Sequence, residues 1–170
     1  MPDSKTILLT GPRFCGKSMF VENLLPVLRE NGLSVTGFFQ RGVFDNGFKA
    51  GYDLVRVKDG QSVPLARRPD SDSPWEFDEQ VFDHAAEMVK GGADTIILDE
   101  IGPLELSGGG HAKTLQAALK MHSNVIIVVR EELAGEMKQS LPPGRDVTVI
   151  RFEQGNEENL SRQILGLLLP

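Results

Sequence analysis

Residues 11–18 read Gly-Pro-Arg-Phe-Cys-Gly-Lys-Ser. The spacing G-x-x-x-x-G-K-[ST] belongs to a loop that wraps an anion when it joins a strand to a helix. The glycines let the chain turn tightly, so successive backbone N–H groups converge on one phosphate. Lys17 carries a positive charge toward the β- and γ-phosphates. Ser18 offers a hydroxyl oxygen to Mg2+. The segment Gly11, Pro12, Arg13, Phe14, Cys15, Gly16, Lys17, Ser18 and Met19 is therefore the expected nucleotide-binding stretch. Its chemistry is the binding of a nucleoside di- or triphosphate, and the fate of the γ-phosphate is the next question.

A second stretch, Thr95-Ile96-Ile97-Leu98-Asp99-Glu100, bears on that question. Four apolar or small residues bury a strand in mid-sheet, and two acids emerge at its carboxyl end, where open α/β sheets bind ligands. Asp99 can hold Mg2+, directly or through water, opposite Ser18. Glu100 is then placed to accept a proton from an attacking water. Consecutive acids in this position favour activation of water over transfer to a bound acceptor. Acid pairs also cap strands without any chemistry, and it is the phosphate loop upstream that makes this one a candidate site. Arg130 ends an apolar strand expected at the same sheet edge. It either neutralises the γ-phosphate or simply opens a helix with Glu131 and Glu132. Arg41 is a weaker candidate for the same role, against a plain hairpin charge.

These residues need a scaffold of alternating strands and helices. The pattern predicts a strand at 5–10 and a helix at 17–31, with Met19, Phe20, Leu24, Leu25 and Leu28 on a 3.6-residue period. Pro26 lies inside that helix and should kink it. A strand at 33–40 follows. Asp45-Asn46-Gly47 is a hairpin turn and Lys58-Asp59-Gly60 a second one, so 34–67 reads as an antiparallel β-meander extending the sheet. Residues 67–75 form a polar loop. Then come a helix at 76–90, a strand at 95–99, a Ser-Gly-rich loop, a helix at 111–121 and an all-apolar strand at 125–129. A short helix at 131–138, a strand at 147–151 and a last helix capped by Asn156 close the chain. The expectation is one α/β domain over residues 1–170 with a mainly parallel sheet, the meander being an insertion.

Bulk properties narrow the partners. The net charge of −6 opposes a polyanion, which makes nucleic acid an unlikely partner. The start, Met1 to Lys5, has no secretory apolar region, and no apolar run approaches the roughly 20 residues that span a bilayer. One cysteine allows no intrachain disulfide, so a reducing cytoplasm is the simplest compartment. That cysteine, Cys15, lies in the phosphate loop beside Lys17 and a helix start. Both favour the thiolate, unless the sulfur turns into the core.

At this point the residues resemble a known family. Asp99-Glu100-Ile101-Gly102-Pro103-Leu104-Glu105-Leu106 is similar to the D-E-I-G-x-[ML]-E-L signature of the small P-loop nucleoside-triphosphatases, the group that includes the cancer-related nucleoside triphosphatase. Gly37-Phe38-Phe39, Arg41 and Gly51-Tyr52-Asp53-Leu54-Val55 resemble its hairpin segment, and Phe77-Asp78 with Phe82 and Ala85 the approach to its middle helix. The resemblance implies a P-loop three-layer sandwich with a RecA/AAA-like core. It also implies slow Mg2+-dependent hydrolysis of ATP, GTP and other NTPs. On that template Lys17 and Ser18 carry phosphate and metal, Asp99 the metal, and Glu100 the base. The chain departs from it at Arg13-Phe14-Cys15, at Ser18-Met19 where Thr-Thr is usual, and at Phe48-Lys49-Ala50 where paired basic residues are usual.

Three functions follow in order. The first is an NTPase. The second is a small-molecule or nucleotide kinase, with the 67–75 loop or the meander holding an acceptor. The third is a nucleotide-switched accessory protein whose meander contacts a protein partner in an assembly process. Trp75 is expected either to stack on a base or to anchor packing. Glu105 either orders the loop after Asp99 or is a surface acid. His84, His111 and His122 lack metal spacing and are expected on surfaces or helices, and Arg67-Arg68 in a solvated loop.

Overall fold

The computed structural model describes residues 4–169. The Met1–Asp3 end, part of the stretch expected to carry no secretory apolar region, lies outside the described residues. The elements in chain order are β1 (Lys5–Thr10), α1 (Lys17–Glu30), β2 (Val35–Asp45), β3 (Phe48–Arg56), β4 (Ser62–Arg67), β5 (Glu76–Phe77) and α2 (Gln80–Met88). There follow β6 (Thr95–Ile101), α3 (Pro103–Leu106), α4 (Ala112–Lys120), β7 (Asn124–Val129), a 3-10 turn (Glu131–Leu133), α5 (Ala134–Ser140), β8 (Asp146–Arg151) and α6 (Glu157–Leu168).

One eight-stranded sheet runs β5-β4-β3-β2-β6-β7-β1-β8. The pairs β2–β6, β6–β7, β7–β1 and β1–β8 are parallel, and β2–β3, β3–β4 and β4–β5 are antiparallel. Parallel strands need both faces covered, which explains their unbroken apolar runs. Side chains alternate between the faces. Ile7, Leu9, Ile97, Ile126 and Val128 meet α1 and α6 through Phe20, Leu24, Leu28, Leu160 and Ile164. Leu8, Ile96, Leu98, Val125 and Ile127 meet α2, α4 and α5 through Val81, Ala85, Leu115, Ala118 and Met137. The result is a three-layer α/β sandwich with a mainly parallel sheet and an antiparallel β-meander.

The meander's first hairpin turns on Asn46 and Gly47, both with positive φ, 44° and 85°. That conformation matches the right-handed twist of the strands and is the reason Asn-Gly stands there. Gly37 is required for a different reason. A Cβ on it would lie 2.0 Å from the Ile97 carbonyl oxygen, so only glycine lets β2 lie this close to the strand that carries Asp99.

Several local expectations change. Residues 76–77 form a short edge strand, because they pair with Ala66 and Arg67, and α2 starts only at Gln80. α1 continues through Pro26, which lies on its exposed side. Asn156 occupies the N-cap of α6 but makes no side-chain cap bond; its Oδ1 accepts from Asn159 Nδ2 instead, at 2.8 Å.

Candidate active site

The phosphate loop joins β1 to α1 at the carboxyl edge of the sheet. Phe14 and Gly16 take left-handed φ values of 58° and 102°, which fold the loop over the start of α1. Lys17 is buried, and its Nζ donates to the carbonyls of Gly11 (3.0 Å) and Pro12 (2.6 Å). Cys15 is partly buried, with Sγ 3.7 Å from that ammonium. Phe14 and Met19 are exposed, at 83% and 69%. Arg13 is drawn aside into an exposed pair with Glu132.

Asp99 is wholly buried on β6. Its carboxylate accepts N–H bonds from Gln40 at 2.9 Å and Glu100 at 2.8 Å. Burial pushes its pKa up to about 7, the Glu100 charge adds to that, and the two N–H groups and the Ser18 hydroxyl act in the opposite direction. A buried carboxylate beside a hydroxyl, with no basic side chain paired to it among the described residues, suits a hard divalent cation. The donor set of Ser18 and Asp99 therefore fits Mg2+. The described residues hold no cluster of three or more His, Cys, Asp or Glu that would form an all-protein metal cage. A P-loop metal takes its remaining ligands from phosphate and water.

Glu100 has φ 55°, a strained value for a residue with a β-carbon. The pairing of β6 with β7 slips between Leu98 and Ile101 at this point. The slip leaves Glu100 half-buried in a cavity of about 240 Å3 that also touches Lys17 and Arg130. Arg130 leads into the 3-10 turn, which is tied to the phosphate loop by a bond from Glu131 N–H to the Gly11 carbonyl, 3.2 Å. Lys17, Ser18, Asp99, Glu100 and Arg130 are thus brought to one edge of the sheet. Arg41, one residue beyond Gln40 on β2, does not line that cavity: it pairs with Glu22 and lies over the Phe39 ring.

Glu105 is buried and holds the segment after Glu100 in place. Its two oxygens accept from Gly102 N–H (2.9 Å) and His111 N–H (3.0 Å). His111 itself overturns the surface expectation. It is 2% exposed, packed against the Phe38 and Phe82 rings at 4.4 and 4.8 Å, and neither ring nitrogen has a partner among the described residues. Burial lowers its pKa to about 4. The Arg67-Arg68 pair is not merely solvated. Arg67 bonds Asp53 and the Tyr52 carbonyl, and Arg68 lies 4.3 Å over the Trp75 ring. Trp75 also packs against Tyr52, ring centroids 5.0 Å apart.

One cation escaped the sequence reading as a site residue. Lys49, on β3, lies over the rings of Phe14 (4.8 Å) and Tyr52 (4.9 Å), so the meander reaches the phosphate loop. It shares a cavity of about 350 Å3 with Lys17, Ser18 and Glu100.

A phosphate loop on the first strand of a mainly parallel sheet, facing an acid pair on another strand end, defines a P-loop nucleotide-hydrolysing protein. The NTPase family model matches residues 6–165, and the chain belongs to that family. It is a nucleoside-triphosphate-hydrolysing enzyme. A nucleoside-triphosphatase THEP1 of Methanopyrus kandleri is 29% identical, with 96% of this chain and 94% of the relative covered. A cancer-related nucleoside-triphosphatase homolog of Mus musculus is 24% identical over 97% of each chain. The solution structure of a human cancer-related nucleoside triphosphatase shares the fold, with a TM-score of 0.77, 21% identity and 97% of each chain covered.

Proposed function

We propose that the chain cleaves nucleoside triphosphates to diphosphate and phosphate in a Mg2+-dependent reaction, with water activated by Glu100. The observation that carries this reading is the placement of Glu100 beside Lys17 in one cavity, next to a buried Asp99 that faces the Ser18 hydroxyl. Ser18 and Asp99 would hold the metal, which supplies charge neutralisation to the phosphates. Lys17 leaves its loop carbonyls to meet the β- and γ-phosphates, joined by the loop N–H groups. Glu100 orients a water and takes its proton as the oxygen attacks phosphorus. Arg130 offset the charge that builds on the transferring group, as cations do in phosphoryl transfer. ATP and GTP are both accepted in this reading, because the loop grips phosphate rather than base.

The test is release of inorganic phosphate from ATP, GTP, CTP and UTP by the purified protein, with and without Mg2+. Phosphate release that persists under full chelation overturns the metal assignment. A switched role with a protein partner gains one observation: Phe44, near the tip of the first hairpin, is 64% exposed. No helix among the described residues is long and apolar enough to cross a membrane, and the single cysteine suits a reducing cytoplasm as the compartment of the reaction.

A further inference from the structure

The cavity that holds Glu100 is larger than a water molecule needs, and most of its lining is not phosphate chemistry. Away from Lys17 it is lined by two aromatic pairs. Tyr52 and Trp75 have centroids 5.0 Å apart, and Phe77 and Phe82 6.4 Å apart. His111 is also in the lining, with both ring nitrogens buried and unpartnered. A buried polar group without a partner costs roughly 1–3 kcal/mol. Aromatic walls alone would suit any apolar ring. Both nitrogens are closed off from the cavity as the ring stands, and a turn of the imidazole that brings one of them into it would give a ring carrying hydrogen-bonding atoms a partner that a plain apolar ring cannot use. At about 240 Å3 the space is below the ~300–1,000 Å3 of a drug-sized pocket, so it suits one small molecule rather than a whole nucleotide.

The position of the cavity separates it from the base of the nucleotide in the phosphate loop. It meets that loop through Arg13, Phe14 and Lys17, and not through Gly16, Ser18 or Met19. Lys17 attends the β- and γ-phosphates, so the cavity opens beyond the γ-phosphate, and the nucleotide's own base lies at the other end of its triphosphate.

We propose that this cavity is an acceptor site for a nucleoside or a similarly flat, uncharged heteroaromatic alcohol, whose hydroxyl takes the γ-phosphoryl group in place of water. The proposal rests on the reading of Glu100 as the base. In the step, the acceptor oxygen forms a bond to Pγ. The bond from Pγ to the β–γ bridging oxygen breaks, its electron pair leaving with the nucleoside diphosphate. The hydroxyl proton passes to Glu100. Hydrolysis is then the reaction of the same site with water in the acceptor's place.

The chain's one tryptophan, Trp75, is in the cavity lining and reports binding without any turnover. The experiment titrates adenosine, guanosine, cytidine and uridine into the wild-type protein already saturated with Mg2+ and a non-hydrolysable ATP analogue. At least one nucleoside is expected to change Trp75 fluorescence saturably. His111→Ala should weaken that nucleoside roughly tenfold, as loss of one buried hydrogen bond does. Phe77→Ala, at an exposed edge position, should weaken it too, and it serves if His111→Ala fails to fold. With γ-labelled ATP the label should appear on the nucleoside. Glu100→Gln should bind the nucleoside and transfer no label. No fluorescence change with any of the four overturns the proposal. A saturable change seen in a parallel titration without the analogue, and lost when the analogue is present, makes the cavity a base subsite and overturns it. Binding without labelled product overturns the acceptor role. A Glu100→Gln protein that still releases phosphate at the wild-type rate sinks the base reading alone, and leaves the fluorescence result standing.

Discussion

The backbone N–H of Glu100 donates to the carboxylate of Asp99, its neighbour in the chain, at 2.8 Å. The two acids thereby take opposite environments. Asp99 stays inside the sheet, fully buried, while Glu100 turns at φ 55° into the cavity that Lys17 and Arg130 share. On the proposed reading one acid would hold the metal and the other take the proton, and the turn between them is what gives them different surroundings.

That separation predicts distinct losses. Glu100→Gln should keep nucleotide binding, since the phosphates are held by the loop, while hydrolysis falls by roughly 10²–10⁴. Lys17→Ala should lose triphosphate binding itself. Equilibrium binding of a fluorescent ATP analogue and a phosphate-release assay measure the two properties. Wild-type turnover in Glu100→Gln would remove the base assignment.

The strain at Glu100 has its own signature. A left-handed φ costs a residue with a β-carbon roughly 1–2 kcal/mol that glycine is spared. Glu100→Gly should therefore abolish hydrolysis and raise the unfolding midpoint by about 2–4 °C per kcal/mol recovered. A lower midpoint in thermal denaturation would show that the Glu100 side chain stabilises the fold and that its backbone stores no usable strain.

The loop between β1 and α1 and the acids at the end of β6 were legible because each is a few consecutive residues whose types and order follow a local rule. The meander was legible through Asn46-Gly47, whose left-handed turn has few other occupants. What escaped depends on distant partners. Residues 76–77 looked helical and became a strand because Ala66 and Arg67 were free to pair with them. His111, expected on a surface or a helix, stands at the N-cap of α4 and is buried because Phe38 of β2 and Phe82 of α2 close on it. Lys49 reaches Phe14 only because the meander folds over the loop. The short helix α3 did carry a local signal: Gly102-Pro103 followed by Glu105 is a helix start, with the Glu105 carboxylate capping the Gly102 N–H.

Cys15 supplies a chemical probe of the loop. Its Sγ is 3.7 Å from Lys17 Nζ and packs against the core beneath α1. Alkylation by iodoacetamide would put a bulky group beside the ammonium proposed to meet the phosphates. Phosphate release should fall in step with modification followed by mass spectrometry, and Mg2+ with nucleotide should protect. Full activity after complete modification would make the thiol a bystander.

The burial of His111 predicts a pH dependence of stability with a definite sign. In the folded protein its pKa is held down to about 4 by burial, against 6.5 for the free side chain. Below pH 6.5 the unfolded chain takes up a proton that the folded chain refuses. The contribution is therefore complete above that pH and is lost as pH falls from 6.5 to about 4. Over the whole window it amounts to on the order of 3 kcal/mol. Asp99 works in the opposite sense. Its folded pKa of about 7, against 3.8 when free, makes the folded state take up a proton first and gain stability as pH falls through that range. The nearest charged group to His111 that the structure ties to it, Glu105, bonds its backbone N–H and not its ring. The comparison that isolates the imidazole is urea denaturation of wild type and His111→Gln, without nucleotide or metal, at fixed pH values from 7.5 to 4. The Asp99 contribution is common to both proteins and cancels in the difference. The stability of wild type relative to the variant should fall steadily below pH 6.5. Parallel profiles would mean that His111 titrates alike in the folded and unfolded chains, and that its ring meets water in solution.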